Sequence, residues 1–99
     1  MGVLVVMTVP GDTKQFESYV AENRELVEEL SRKAKTAGCI AHRFAVGDGA
    51  IVVVDEWGSA EEFQTFFADP EIQAVMGPMG AQGEPQITFA AAKGFPGDF

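Results

Sequence analysis

Residues 50–67 read AIVVVDEWGSAEEFQTFF, and this stretch decides the fold. The run from Ile51 to Val54 is apolar and β-branched, which is typical of a strand covered on both faces. Ser59 and Glu62 have the spacing of a capping box, so a helix is predicted to begin there. The aromatic residues that follow share a helical spacing: Phe63, Phe66 and Phe67. The stretch therefore predicts a strand and then a helix that packs its aromatic face back onto that strand.

The residues before this stretch predict one strand and one long helix. Residues 3–9 are almost continuously apolar, which again indicates a strand with two covered faces. Asp12 is a suitable N-cap, and Gln15 stands at the matching capping-box position. An amphipathic pattern then runs without interruption over residues 13–37, until Gly38 can end the helix.

The remaining residues complete a recognisable order of elements. Residues 39–46 alternate as a strand, and Gly47-Asp48-Gly49 predicts a hairpin turn into the strand of the opening stretch. Asp69-Pro70 predicts a further short helix, and residues 86–92 predict the last strand, followed by a tail over 94–99. The order strand, helix, strand, strand, helix, strand is that of ferredoxin-like folds. We therefore expect a single α+β domain over residues 1–99, with helices on one face of a four-stranded antiparallel sheet.

Composition excludes several classes of partner. The formal net charge of −8 opposes binding to nucleic acid or to an anionic membrane, and the seven Lys and Arg residues are scattered. A single cysteine, Cys39, excludes an intramolecular disulfide and a cysteine-based metal site. No apolar run approaches the roughly 18 residues of a membrane-spanning helix, and no secretory leader is evident. We expect a cytoplasmic protein with no membrane or nucleic-acid partner.

The predicted sheet has one face that the helices do not cover. Two of its strands are apolar on both faces, whereas helices on one side shield only one of those faces. A large apolar face in water is rare in monomers, so we expect a homodimer that packs sheet against sheet. The tail carries Phe95 and Phe99, which either wrap onto the partner or belong to a frayed end.

Particular residues along nearly the whole chain match one superfamily. They are His42-Arg43-Phe44, Gly47-Asp48-Gly49, Val53 to Trp57, Ser59, Ala60, Phe63, Phe67 and Asp69 to Ile72. With the order of elements, they make the sequence resemble the antibiotic biosynthesis monooxygenase superfamily of dimeric α+β barrels. The resemblance implies a cofactor-independent monooxygenase that acts on an aromatic polyketide or a quinol. In such enzymes the substrate is deprotonated and passes an electron directly to dioxygen.

A haem-degrading branch of the same superfamily is a poorer match. Its members have an Asn on the first strand, a Trp on the helix after the third strand and a His on the next helix. Here the first strand lacks Asn, and the two helix positions are best matched by Phe66 and Met76. Without an axial imidazole we expect no haem, and the resemblance to the other branch implies no cofactor.

The resemblance implies a pocket between sheet and helices, and several residues suit it. His42 is the single histidine and the candidate catalytic residue, since histidine most readily exchanges protons near neutral pH. The candidate substrate-binding residues are Trp57, Tyr19, Asn23, Phe44, Phe66, Phe67, Met76 and Met79. Each also has a structural interpretation: a packed histidine, a core tryptophan and a core stripe of Phe and Met. Asp55 and Glu56 are adjacent, so they point to opposite faces and form no carboxylate pair. No His, Asp or Glu cluster has metal-binding spacing.

Two functions from different classes remain open at this point. The first is the monooxygenase acting on an aromatic molecule. The second is a non-catalytic dimeric module that binds a hydrophobic small molecule or a protein partner. A cavity beside His42 that could hold a fused-ring ligand favours the enzyme, whereas a face filled by Phe and Met side chains favours the module.

Overall fold

The computed structural model describes residues 2–99; Met1, the first residue of the predicted domain, lies outside the described residues. The elements are β1 (Val3–Pro10), α1 (Thr13–Glu22), α2 (Arg24–Ala37), β2 (Cys39–Gly47), β3 (Ala50–Trp57), α3 (Ala60–Phe67), α4 (Pro70–Met76) and β4 (Gln86–Ala91). The predicted order is confirmed, and the separate short helix predicted at Asp69-Pro70 is α4, whereas the single long helix predicted over residues 13–37 is divided into α1 and α2.

The four strands form one antiparallel sheet in the order β2-β3-β1-β4. Alternate residues of the two central strands point to the helices and are buried, including Val5, Met7, Ile51 and Val53. Phe16 and Phe63 complete this core from the helical layer. The predicted ferredoxin-like α+β fold is therefore confirmed.

The long helix predicted over residues 13–37 is wrong in one respect, because it breaks at Asn23. The backbone of Asn23 has φ −124° and ψ 38°, outside the helical region. Its side-chain Nδ2 donates to the Tyr19 carbonyl oxygen at 3.0 Å, and its backbone N–H donates to the same oxygen at 2.9 Å. Asparagine competes in this way for backbone groups, so it ends α1 although the amphipathic pattern continues into α2.

The predicted helix starts are confirmed by their hydrogen bonds. The Ser59 hydroxyl accepts from the Glu62 N–H at 3.1 Å and donates to the Glu62 carboxylate at 3.0 Å. At α1, the Gln15 N–H donates to the Asp12 carboxylate at 3.0 Å. The Gln15 side chain does not close that capping box; its amide donates to the Pro78 carbonyl oxygen at 3.0 Å, in the segment after α4.

An irregularity in β2 corrects the predicted alternation at its start. The pairing of β2 with β3 shifts register between Cys39 and Ala41. Because of this bulge, Cys39 lies buried on the helix face beside Trp57 instead of sharing the outer face with Ala41. From His42 onward the predicted alternation holds, with His42 facing the helices opposite Asp55.

The outer face of the sheet remains apolar and exposed. Leu4, Val6 and Val54 are 40%, 37% and 42% exposed there, and Val6 pairs directly with Val54 across β1 and β3. The predicted uncovered apolar face is therefore present in the chain.

Candidate functional site

A histidine and an aspartate form the polar centre of the helix-facing side of the sheet. His42 on β2 is the register partner of Asp55 on β3, so both side chains project to the same face. His42 Nδ1 lies 2.6 Å from Asp55 Oδ1. Asp55 is only 4% exposed, which makes it the one buried charged residue among those described. The backbone pairing of β2 with β3 thus places the His42 imidazole and the Asp55 carboxylate next to each other.

Trp57 completes this polar centre from the end of β3. Its indole Nε1 donates to Asp55 Oδ2 at 3.0 Å. The two residues are two positions apart on one strand, so their side chains lie on the same face. The hydrogen-bond partner of the indole N–H is thus the Asp55 carboxylate and not a backbone carbonyl. Trp57 is nevertheless a core residue: it is 1% exposed and packs edge-on against Phe63, with the ring centroids 5.6 Å apart.

The hydrogen bond to Asp55 decides which nitrogen of His42 is available. A carboxylate accepts only, so the proton of a neutral imidazole lies on Nδ1 and the lone pair lies on Nε2. The side chain of His42 is 27% exposed and packs edge-on against Phe44 at 4.5 Å. His42 is therefore oriented as a proton acceptor through Nε2, and Asp55 is positioned to stabilise the protonated ring.

A small apolar cavity adjoins this polar centre. It encloses about 100 Å³ between the sheet and the helices α2, α3 and α4. It is lined by Met7, Val27, Leu30, Ser31, Ala34, His42, Phe44, Val53, Asp55, Trp57, Phe63, Phe66, Phe67, Ile72, Val75, Met76 and Met79. Among the sequence-predicted site residues, His42, Trp57, Phe44, Phe66, Phe67, Met76 and Met79 come together here.

Tyr19 and Asn23 lie elsewhere, at the junction of α1 and α2. Neither belongs to the lining of the cavity, and they bond to each other through the Asn23 amide and the Tyr19 carbonyl. Their predicted place at the pocket depended on one continuous helix. The break at Asn23 instead gives the pair a role in ending α1, and the cavity draws its helical residues from α2 onward.

Asp55 and Ser31 line the cavity, and sequence reasoning missed both. A signal for Asp55 was available: in an alternating strand, the spacing of Asp55 and Trp57 puts them on one face. The partner His42, however, depends on the register of two strands. Ser31 is a polar residue on the apolar face of α2, which was the available signal for its position. Glu56 behaves as predicted: burial alternates along β3, so Asp55 is buried and Glu56 lies on the opposite face.

A second apolar cavity of about 60 Å³ adjoins the first. The two share five lining residues: Met7, Phe44, Val53, Met76 and Met79. Methionine side chains are flexible and adapt readily to neighbouring groups. Movement of Met76 and Met79 is therefore the simplest way to enlarge the space beside His42.

Comparisons with known proteins identify the fold. No family model matches the sequence, and neither does any curated protein sequence. Among solved structures, a monooxygenase from the ActVA-Orf6 gene of Streptomyces coelicolor, in complex with Nanaomycin D, is 22% identical with a TM-score of 0.67, covering 96% of this chain and 90% of that chain. A putative antibiotic biosynthesis monooxygenase from Caulobacter crescentus is 17% identical with a TM-score of 0.67, covering 94% and 91%. A dimeric ferredoxin-like protein from an uncultured marine organism is 15% identical with a TM-score of 0.62, covering 96% and 92%.

The chain shares its ferredoxin-like fold with solved structures described as antibiotic biosynthesis monooxygenases. At these identities the likeness concerns the fold, so the resemblance expected from the sequence is confirmed at that level. In this ferredoxin-like fold, the cavity lies between the sheet and the helical layer, beside the His42–Asp55 pair.

Cys39 lies near the polar centre formed by His42, Asp55 and Trp57 but is unsuited to nucleophilic chemistry. Burial, and then the nearby charge of Asp55, raise the pKa of the Cys39 thiol to about 11. Its Sγ donates to the Ala41 carbonyl oxygen at 3.2 Å. A reactive cysteine needs a stabilised thiolate, and both dominant influences here disfavour one. Cys39 is therefore a packed side chain of the core.

Polar contacts at both ends of α4 connect this helix to the helices beside it. Lys33 on α2 lies 2.7 Å from Glu71 and 3.7 Å from Asp69 at the start of α4. The hydrogen bond to Glu71 is the largest influence that raises the pKa of Lys33. At the other end of α4, the Gln15 amide donates to the Pro78 carbonyl oxygen. These contacts connect α4 to α1 and α2. Because they are exposed, they add little to the free energy of unfolding.

Two kinds of feature are not found in the described part of the chain. Over residues 2–99, no group of three His, Cys, Asp or Glu side chains is placed to hold a metal ion. In the same range, no helix is both long and apolar enough to cross a membrane.

Proposed function

We propose that the protein is a cofactor-independent monooxygenase of small aromatic substrates of the polyketide or quinol type. The observation that supports it most directly is the His42–Asp55 pair at 2.6 Å on the wall of an apolar cavity. An imidazole oriented by a carboxylate is a general base, and apolar walls suit an aromatic ring. The monooxygenases among the solved structures of this fold support the same reaction type.

In the proposed reaction, His42 Nε2 takes a proton from an electron-rich phenol or from an anthrone-type methylene. Asp55 stabilises the imidazolium that forms. The substrate carbanion passes one electron to dioxygen, and recombination of the two radicals forms a carbon–oxygen bond to a peroxide. Loss of water then leaves a carbonyl, so one oxygen atom enters the product and the other leaves as water. The protein supplies proton transfer, orientation and a dry site, and dioxygen is the oxidant.

The size of the cavity narrows the proposed substrate. At about 100 Å³ it is smaller than pockets for drug-sized ligands, which span roughly 300–1,000 Å³. A single ring is the best fit to the existing space. A fused-ring substrate requires Met76 and Met79 to move, so that the neighbouring 60 Å³ becomes available.

The active form is proposed to be a homodimer that packs one sheet outer face against the other. The exposed pair of Val6 and Val54 lies at the centre of that face, and Leu4 extends it. An uncovered patch of this kind on a small domain favours an isologous partner, because the same patch then covers itself. The dimeric ferredoxin-like protein from an uncultured marine organism, which has a similar fold, supports this arrangement.

Oxygen uptake by the purified protein tests the proposal. The panel is anthrones, naphthols and quinols, each measured against a protein-free blank, with the protein first treated with a chelator. We expect uptake above the blank with at least one substrate, and its loss in His42→Ala at an unchanged melting temperature. Turnover that persists unchanged in His42→Ala removes His42 from the mechanism. Uptake at the blank rate across the panel contradicts the monooxygenase.

The small size of the cavity also favours a second candidate, a non-catalytic module that binds a hydrophobic small molecule. The Phe and Met side chains occupy much of the space between α3, α4 and the sheet. If the protein has this second function, we expect compounds of the panel to bind without oxygen uptake. Binding would shift the indole N–H resonance of Trp57. Binding with equal affinity to wild type and His42→Ala then favours the module.

A further inference from the structure

We propose that Ser31 determines specificity by binding a second oxygen substituent of the aromatic substrate, across the cavity from the oxygen that His42 addresses. The proposal rests on the function proposed above and refines its substrate class to rings that carry two oxygens. Ser31 belongs to the helical side of the cavity through α2, and His42 belongs to the sheet side through β2.

The position of Ser31 in α2 is unusual for its residue type. Val27, Leu30, Ser31 and Ala34 follow the helical spacing of one face, and all four line the cavity. The other three are apolar, as packing against the sheet requires. A serine at this position gives up apolar contact, and such local departures from pattern are expected where a site has a function.

The hydroxyl of Ser31 is also available. The side-chain hydrogen bonds found within residues 2–99 do not include it. By contrast, both oxygens of Asp55 are engaged, one by His42 Nδ1 and the other by Trp57 Nε1. Among the described lining residues, the polar atoms left to a ligand are therefore the Ser31 hydroxyl and His42 Nε2.

Two polar points on otherwise apolar walls select for ligands with matching groups. A ring with one oxygen can bind His42 but makes no hydrogen bond to the Ser31 hydroxyl. A ring with two oxygens at the right separation satisfies both, and one such hydrogen bond changes affinity by about five- to tenfold. The isomer of dihydroxybenzene that binds best then reports how far apart the two groups lie across the ring.

The experiment compares phenol with catechol, resorcinol and hydroquinone under anaerobic conditions, which prevent oxidation. The indole N–H resonance of Trp57 reports binding in isotope-labelled protein, because Trp57 is the single tryptophan and lines the cavity. The variants are Ser31→Ala and, as the matched control, Ser18→Ala at an exposed position of α1. Melting temperatures are measured in parallel, and alanine at position 31 suits a helix.

In wild type and Ser18→Ala, we expect one dihydroxybenzene to bind about five- to tenfold more tightly than phenol. In Ser31→Ala this preference disappears while the affinity for phenol stays within about twofold, a selective loss that a purely structural serine does not produce. A preference that survives in Ser31→Ala, or an equal weakening of all four ligands, overturns the proposal. So does the absence of binding by all four ligands to wild type.

Failure of the proposed function has a different signature. The reaction can be absent while the binding preference for two oxygens persists, which leaves Ser31 as the specificity residue of a binding module. Conversely, oxygen uptake that depends on His42 but is equally fast for phenol and the dihydroxybenzenes refutes only the role of Ser31.

Discussion

His42 Nδ1 and Asp55 Oδ1 lie 2.6 Å apart because β2 and β3 pair these two residues directly across the sheet. The contact joins His42, whose side chain is 27% exposed, to Asp55, which is 4% exposed. Trp57 binds the second oxygen of the same carboxylate, so the charge of Asp55 is hydrogen-bonded on both sides. Buried charges persist only when paired in this way. The proposed proton chemistry and the packing of the core thus depend on the same three side chains.

Replacing Asp55 with Asn tests the orientation of His42. The amide still accepts from Trp57 but can donate to Nδ1, which moves the imidazole proton to Nε2 and blocks its use as a base. We expect turnover to fall by about 10²–10⁴, the usual contribution of general-base catalysis. Asp48→Asn in the exposed hairpin turn is the control and is expected to retain full activity. Turnover within about twofold of wild type for Asp55→Asn contradicts the role of the pair.

Replacing Met79 with Ala tests whether the two cavities can join. Met79 lines both, so its truncation removes part of the wall between them. We expect a two-ring naphthol to gain affinity relative to phenol, and the free energy of unfolding to fall by about 2 kcal/mol, at the low end for Met→Ala because Met79 is half-buried. Calorimetric titration measures the two affinities, and urea unfolding measures the free energy of unfolding. Gln82→Ala, at an exposed position between α4 and β4, is the control. An unchanged ratio of the two affinities argues against joined cavities.

The raised pKa of the Cys39 thiol leads us to expect a loss of stability at high pH. Its pKa is raised from 9.0 to about 11, chiefly by burial and then by the charge of Asp55. The folded state therefore favours the protonated thiol, so this contribution to stability is complete below about pH 9 and is lost as the pH rises through about 11. We expect unfolding free energy to fall more steeply over this range in wild type than in Cys39→Ala. Parallel curves for the two proteins contradict the shift.

The same thiol is expected to react slowly in the folded protein. A pKa raised by about two units lowers the thiolate fraction near neutral pH by about 100-fold, and the thiolate is the reactive form. A chromogenic disulfide reagent, applied to native and to denatured protein, measures the difference. Equal reaction rates in native and denatured protein would show that Cys39 is not buried and that its pKa is not raised.

A lysine on the outer face of the sheet tests the proposed dimer. Val54 is 42% exposed and pairs with Val6 at the centre of that face, so Val54→Lys puts a charge into the proposed interface. We expect wild type to sediment as a dimer and Val54→Lys as a folded monomer. Val46→Lys is the matched control, since Val46 is 44% exposed but pairs with Ile51 on the helix-facing side. A monomeric wild type, or an unaffected Val54→Lys dimer, rules out this interface.

Local patterns in the chain determined the identity and order of the elements. The β-branched run Ile51 to Val54 forms a strand, and Ser59 with Glu62 starts a helix. These are effects of neighbouring residues on one another, so the sequence by itself predicts them. The same patterns predict an uncovered apolar sheet face and bring most of the aromatic and methionine side chains to one pocket.

Only the tertiary structure decided the bulge at Cys39 and the pairing of His42 with Asp55. The break at Asn23 is local, but the sequence pattern conceals it. An amphipathic stripe continues through Asn23, so the pattern alone does not reveal that its side chain binds the Tyr19 carbonyl. The bulge sets the register of β2 against β3, and a shift of one residue would turn His42 to the opposite face. Register is a relation between residues distant in the chain, and the candidate site depends on it.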